Sequence, residues 1–585
     1  MSPKRRGLFI GLALLLLAPA ALAGGGTSAL ADVTTSAGEV GRSGWDGAEP
    51  GLSTAAVRSG NFQQLYSTAL SGQALGQPLV YGSTVIVSTE LDLVYGIDSA
   101  NGALRWTTRL GTPQPVSSVP QLSCGDITPS VGITTTPVID PASGLLYVTA
   151  RTWDAAAADP QAATWVLVAL SAVDGREAWR VPIQGAASND PGAVFDPNHQ
   201  NQRPGLLLMN GWVYAGFGSF CDFDPYRGWV VGVNVTTRAQ TLWTDEAGQP
   251  GSPRAGVWQT GALASDGPGR ILLVSGNGVV PPPGPGTAPP STLGNAVVRL
   301  SVGTSGTLSA VDFFAPSNAQ RLAKDDLDLG SAGLAVAPTV FPLPAALSTT
   351  HPHLAAIAGK EGKLYLVDRD NLGGEAQGPG GTDAAVAAAG PYPLEHVFTR
   401  PAFWPGNGGR IYLVTQPLGG PFGFGTGVLR AFRLDSSGRL VPAGTGRSVA
   451  GGARSEVMGF GSGTPMVTSA GTKAGSEVVW MVQRRPTQKT GNGASRLLAF
   501  GGVPDARGFL PVLRSFDIGV SAKFSAPATD QGRVYVATQD GRLLAFGNAS
   551  RLPTPRQAVP LVGWAAYVFD RNVGIRLFGN FPVRN

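Results

Sequence analysis

The chain has 585 residues, of which only 14% are charged, with 82 glycines, 47 prolines and a formal net charge of +5. This composition excludes a coiled coil or long-helix bundle and points to a turn-dense, strand-rich protein. No lysine and arginine run interleaves with aromatic residues, so no nucleic-acid partner is expected.

In chain order, Lys4, Arg5 and Arg6 precede an apolar run over 8–18, and Ala21-Leu22-Ala23 follows as a small-x-small site. This is the layout of a secretory signal peptide over residues 1–23, and the run is short for a membrane span. A secreted or periplasmic protein is expected, with no transmembrane segment after cleavage. Residues 24–58, rich in Gly, Ser, Thr and Ala, read as a flexible segment.

From residue 59 to 550 one unit recurs. Two apolar strands are followed by a third of the type VYGID, then a polar turn, then a fourth strand that often carries Trp. The third strands are VYGID (94–98), VLVALS (166–171), VVGVN (230–234), VVRLS (297–301), LYLVD (364–368), VLRAFRLD (428–435) and RLLAF, which occurs at 496–500 and 542–546. Eight four-stranded units of this kind predict an all-β fold, an eight-bladed β-propeller of antiparallel blades. The eighth copy stops after its third strand. FQQLYSTAL at 62–70, ahead of the first copy, supplies the missing strand and closes the ring by joining the two ends. Residues 551–585 form a C-terminal extension with no assigned role.

Loop lengths separate the two faces of the ring. Turns between strands one and two, and between three and four, are mostly tight: DSANG, DPASG, SAVDG, ATDQG. The loops between strands two and three are long in several blades and all reach the other face, where function is expected. One of them, CDFDPYRG, carries Cys221. Cys124 lies in the link from blade one into blade two, on the same face. In a secreted chain the two pair as a disulfide or remain buried thiols. A bridge would close about 97 residues, an entropic gain of up to about 4–5 kcal/mol.

The units VYGIDSANGALRW and VALSAVDGREAW resemble the repeat of the pyrroloquinoline quinone (PQQ)-like propellers, the quinoprotein alcohol dehydrogenase-like superfamily. GITTTPVID (132–140), QNQRPGLLLMNGWVYAGFGSFCD (200–222), DDLDLGSAG (325–333) and AGKEGKLYLVDRDNLGG (358–374) resemble a secreted bacterial subgroup. The resemblance implies the propeller fold, with PQQ and Ca²⁺ as possible cofactors. The dehydrogenases of the superfamily use a catalytic Asp beside Ca²⁺ and a Trp under the quinone, and many carry adjacent cysteines. This chain has no Cys-Cys pair and no CxxCH haem motif.

Residues at the start of each first strand ring the axial channel on the long-loop face. Alignment of the repeats places there Thr134, Thr135, Gln202, Arg203, Trp258, Gln259, Asp326, Asp328, Ser331, Arg400, Ser462, Lys523 and Ser525. Arg203, Arg400 and Lys523 suit an anionic ligand, since guanidinium groups grip carboxylates bidentately. Trp258 suits a flat ring. Asp326 and Asp328 are the candidate metal ligands, and Asp328 the candidate general base. Gln202, Gln259 and Ser331 complete the candidate binding set. HPH at 351–353 lies in a turn of the other face.

The leading functional expectation is a monomeric binding module that holds a small molecule or a protein on its long-loop face. One alternative is a PQQ- and Ca²⁺-dependent dehydrogenase of an alcohol or sugar. Another is an envelope assembly scaffold, with an apolar rim around PFGFG at 421–425.

Overall fold

The computed structural model describes residues 32–550, apart from 123–126, 155, 157–161, 419–426, 447–455 and 486–493. Its eight blades are antiparallel four-stranded meanders arranged as a propeller. In blade one the strands are Leu79–Tyr81, Thr84–Thr89, Leu93–Asp98 and Leu104–Arg109, in that order across the sheet. The second and third strands are almost wholly buried, because neighbouring blades cover both their faces. The fourth, LRWTTR, runs along the outside and alternates exposed and half-buried residues.

The ring closes as the repeat count requires. Phe62–Ala69 pairs antiparallel with Arg542–Asn548 and becomes the outer strand of blade eight. Two side-chain contacts show that it stands in for a normal fourth strand. In blade one, Trp106 lies against Gly175 in the turn of blade two, and Thr108 donates to the Gly175 carbonyl at 2.6 Å. Across the closure, Tyr66 lies against Gly102 in the turn of blade one, and Thr68 donates to the Gly102 carbonyl at 2.6 Å.

These contacts explain the repeat. The Asp98 carboxylate accepts from the backbone N–H groups of Ala100 and Asn101, an Asx turn. Gly102 sits at φ +78°, and a Cβ there would come within 2.4 Å of the Tyr66 ring. Glycine is therefore required both by the backbone and by the ring packed on it.

Residues 32–58 overturn the expectation of a flexible segment. They are ordered, and 33–49 form a belt through the axial channel that touches every blade. The carbonyls of Val33, Thr34, Val40, Gly41, Ser43 and Gly44 accept from Val80, Ile139, Ser265, Val336, Phe403 and Val467, in blades one, two, four, five, six and seven. Trp45–Asp46 also pairs in parallel with Val467–Thr468 of blade seven. Arg42 reaches the Leu206 carbonyl ahead of the first strand of blade three, at 3.2 Å. In blade eight, Thr529 donates to Asp46 at 2.7 Å and the Gly532 N–H to Glu49 at 2.7 Å. The small polar composition that reads as disorder is here what fits a narrow channel lined with unpaired strand edges. Residues 1–31, with the signal-peptide reading, and the extension 551–585 lie outside the described residues.

Candidate functional site

Above the belt, the inter-blade links and the loops between strands two and three enclose two adjoining cavities. The larger, about 670 Å³, is floored in part by Ser36 of the belt and walled by Thr134, Thr135, Gln202, Arg203, Arg400, Arg484 and Lys523. Four cationic side chains line it, and no carboxylate does among the described residues. The smaller, about 290 Å³, is lined by Trp258, Asp328, Ser331, Lys360 and Asp222. Arg203, Lys523, Cys221, Phe460 and Phe524 border both, so the two form one funnel.

The structure sorts the sequence candidates. Arg203 and Lys523 stand at the shared wall over aromatic faces, 4.8 Å from the Phe524 centroid and 5.5 Å from that of Phe460. A ring face attracts a cation and fixes where its charge is presented. Arg400 reaches the larger cavity but is almost wholly buried. It donates to the Pro401 carbonyl and contacts Met466 Sδ, both at 3.1 Å. Burial lowers its pKa to about 9, with Glu39 opposing that shift. Gly44 of the belt gives it room: a Cβ there would stand 2.4 Å from its guanidinium.

Gln202 lines the larger cavity while accepting from the Thr149 hydroxyl. Gln259 lines neither cavity. Its side chain holds the backbone of Ala262 and Val274, at 2.7 and 2.6 Å, which makes it a strut of blade four and not a ligand group. Ser331 borders the smaller cavity and donates to the carbonyls of Asp328 and Val397. Ser462 and Ser525 likewise bond to nearby backbone carbonyls. Trp258 packs on the backbone of Gly218, Gly256 and Gly276, with Tyr226 at 5.8 Å and 39°. A Cβ on Gly218 or Gly276 would come within 2.7 or 2.5 Å of the indole. The CDFDPYRG loop thus serves to seat this tryptophan. Tyr226 is tied back by its hydroxyl to Asp222 at 2.9 Å. Cys221 borders the funnel, and no described cysteine is a free thiol; Cys124 and PFGFG at 421–425 lie outside the described residues.

The two candidate metal ligands do not form an open cation site. Lys360, in the loop between strands two and three of blade five, places its ammonium 2.8 Å from Asp326 and 2.6 Å from Asp328. Asp328 is fully buried, and burial raises its pKa against the opposing charge of Lys360. Burial alone would lower Lys360, but the two carboxylates outweigh it and hold its pKa above the ordinary value. Asp326 is 73% exposed and borders neither cavity. Among the described residues no group of three or more His, Cys, Asp or Glu can hold a metal ion. His351 and His353 bond instead to Asp368 and Asp370, at 2.9 and 2.7 Å.

One element of the site escaped the sequence reading. Phe398, Phe460 and Phe524 form a cluster, with Phe398 and Phe524 stacked at 5.8 Å and Phe460 edge-on to both at 5.1 and 5.9 Å. Each lies within two residues of a candidate, as VFTR, GFGS and KFS, at the same point of the repeat as Trp258 in VWQT. The signal was present as a repeated aromatic.

Comparison with known proteins bears on the fold. A family model described as outer membrane protein assembly factor BamB matches residues 60–132. A quinohemoprotein alcohol dehydrogenase from Comamonas testosteroni matches with a TM-score of 0.55 at 15% identity, over 92% of this chain and 83% of that one. What this chain shares with it is the β-propeller fold. A second quinohemoprotein alcohol dehydrogenase, from Pseudomonas putida, matches at 0.57 and 13% identity, over 91% and 82% of the two chains. A europium-containing methanol dehydrogenase matches at 0.51 and 12%, over 88% and 98%. At these identities the likeness is one of fold. No curated protein matches the sequence.

Of the two cofactors that the sequence resemblance implies, the donor set suits one and not the other. The cationic wall of the larger cavity suits the carboxylates of PQQ. The carboxylates proposed for Ca²⁺ already enclose an ammonium.

Proposed function

We propose that this propeller is a secreted or periplasmic binding module whose long-loop funnel holds a small anionic molecule. The observation that carries the reading is the larger cavity: Arg203, Arg400, Arg484 and Lys523 line about 670 Å³ without a described carboxylate. That size lies within the range of small-ligand sites. A cation-lined, partly enclosed cleft raises the local concentration of anions and strengthens each contact inside it. Arg203 and Lys523 supply the charge, Phe524 and Phe460 hold them in place, and Gln202 and Thr135 offer polar contacts.

The Cys124–Cys221 bridge belongs to the same reading. Cys221 is not a free thiol, and the chain has only one other cysteine. Such a bridge would fasten the loop that seats Trp258. No helix of the described residues is long and apolar enough to cross a membrane.

The experiment is calorimetric titration of the mature protein in EDTA with three probes: PQQ, citrate and a neutral hexose. Binding of PQQ or citrate that the Arg203→Ala/Lys523→Ala double variant loses supports the reading. Binding of the hexose alone, or of no probe by folded protein, overturns it. A dehydrogenase would in addition reduce an artificial electron acceptor when supplied with PQQ and an alcohol.

A further inference from the structure

Asp326 and Asp328 are two residues apart on one loop and converge on one point. Paired carboxylates, here one at the wall of the smaller cavity and one exposed beside it, are what a divalent ion takes as ligands. In this chain the point of convergence holds the Lys360 ammonium, whose side chain is only 18% exposed.

The position of Lys360 is built rather than incidental. Its backbone N–H donates to the Asp328 carbonyl at 3.1 Å, so the loop of blade five is docked on the segment that carries both acids. Gly359 allows that approach: a Cβ there would meet the Leu329 Cα at 2.6 Å and the Asp328 carbonyl at 2.8 Å. Asn277 donates at 2.9 Å to the same Asp326 oxygen that Lys360 contacts, and is itself held by Asn295 at 3.1 Å. Asn295 also accepts from the Leu329 N–H at 2.9 Å. A buried carboxylate such as Asp328 is strongly disfavoured without a countercharge. Lys360 supplies it from within the chain.

We infer that Lys360 is a resident cation that takes the place of a divalent metal, so that this propeller keeps its funnel formed without Ca²⁺. The consequence is chemical. An ammonium offsets one of the two carboxylate charges but offers no open coordination position and no Lewis acidity. The wall of the smaller cavity therefore works by hydrogen bonding and charge alone. The inference concerns the protein's own groups and stands whether or not the larger cavity binds an anion.

Terbium(III), a luminescent stand-in for Ca²⁺, gives a direct test, because Trp258 borders the same cavity and can sensitise it. The wild-type protein is expected to give no saturable sensitised emission from this site. Its melting temperature is expected to be the same in Ca²⁺ and in EDTA. Lys360→Met leaves both carboxylates without their cation and is expected to gain saturable emission that disappears in K360M/D328N and falls in K360M/W258F. If K360M does not fold in EDTA, rescue of its folding by Ca²⁺ is the equivalent expected result.

Two results would overturn the inference. One is wild-type emission that is lost on Asp328→Asn, which would mean that a metal displaces Lys360. The other is folded K360M that takes up no ion, or unfolded K360M that Ca²⁺ does not rescue.

Discussion

The floor and the mouth of the axial channel both use buried or half-buried cations, to opposite ends. At the floor, Arg42 is fully buried and donates to the carbonyls of Leu263, Ser36, Glu39 and Leu206 and to the Thr35 hydroxyl. Burial lowers its pKa to about 10, with Glu39 opposing. At the mouth, Arg203 and Lys523 lie over phenyl rings and border both cavities. A guanidinium committed to backbone carbonyls staples the fold. A cation seated on a π-face keeps its charge directed at a cavity. The difference teaches that the same residue type must be sorted by what it packs on and which cavity it borders, not by its place in an aligned ring. Arg400 stands between the two, bordering the cavity yet packed on Gly44 of the belt.

Substitutions can break that division, and the largest effect is expected at the floor. Arg42→Met strands several buried carbonyls and removes the link to blade three. It is expected to cost about 3–5 kcal/mol in urea denaturation. Gly44→Ala, at φ +69° and against the Arg400 guanidinium, is expected to cost about 1–3 kcal/mol. It should also weaken anion binding, because Arg400 must shift.

Glu49 sharpens the comparison through pH. Burial, with Asp46 and Asp530 adding to it, raises its pKa from 4.5 to about 8, while hydrogen bonds from Gly532 and Gln531 oppose. A carboxyl raised on folding stabilises most below its unfolded value, and that contribution is lost as pH rises through the folded value. Melting temperature should therefore fall between about pH 4.5 and pH 8, more steeply in the wild type than in Glu49→Gln, whose side chain stays neutral. Equal slopes would place the titration elsewhere. The smallest stability effect is expected at the mouth: Arg203→Ala and Lys523→Ala should each change stability by about 1 kcal/mol or less, while anion binding is lost.

How much of this was legible in sequence follows from what repeats. The blades and their closure were readable because Asp, Gly and Trp recur at fixed spacing, and each is tied to one contact, as Asp98, Gly102 and Trp106 show. The belt was not readable, since 32–49 occur once and their Gly, Ser and Thr residues carry no periodicity. Their order comes from strand edges of six blades and side-chain bonds to the other two, which only the assembled ring provides. The candidate ring was legible to within a residue or two: Arg203, Lys523, Trp258 and Asp328 reach the funnel, whereas Gln259 turns to the backbone of its own blade. Lys360 lay inside a quoted segment, but nothing local says that its ammonium crosses to two acids more than thirty residues earlier.

The most direct test of the central claim, that the cationic mouth is a binding site and the floor is its support, is the titration of PQQ and citrate in EDTA into wild type, R203A/K523A and Glu49→Gln. The account predicts binding by wild type and Glu49→Gln, and none by the double variant although it remains folded. Absence of binding by folded wild-type protein, or equal binding by all three, would contradict it.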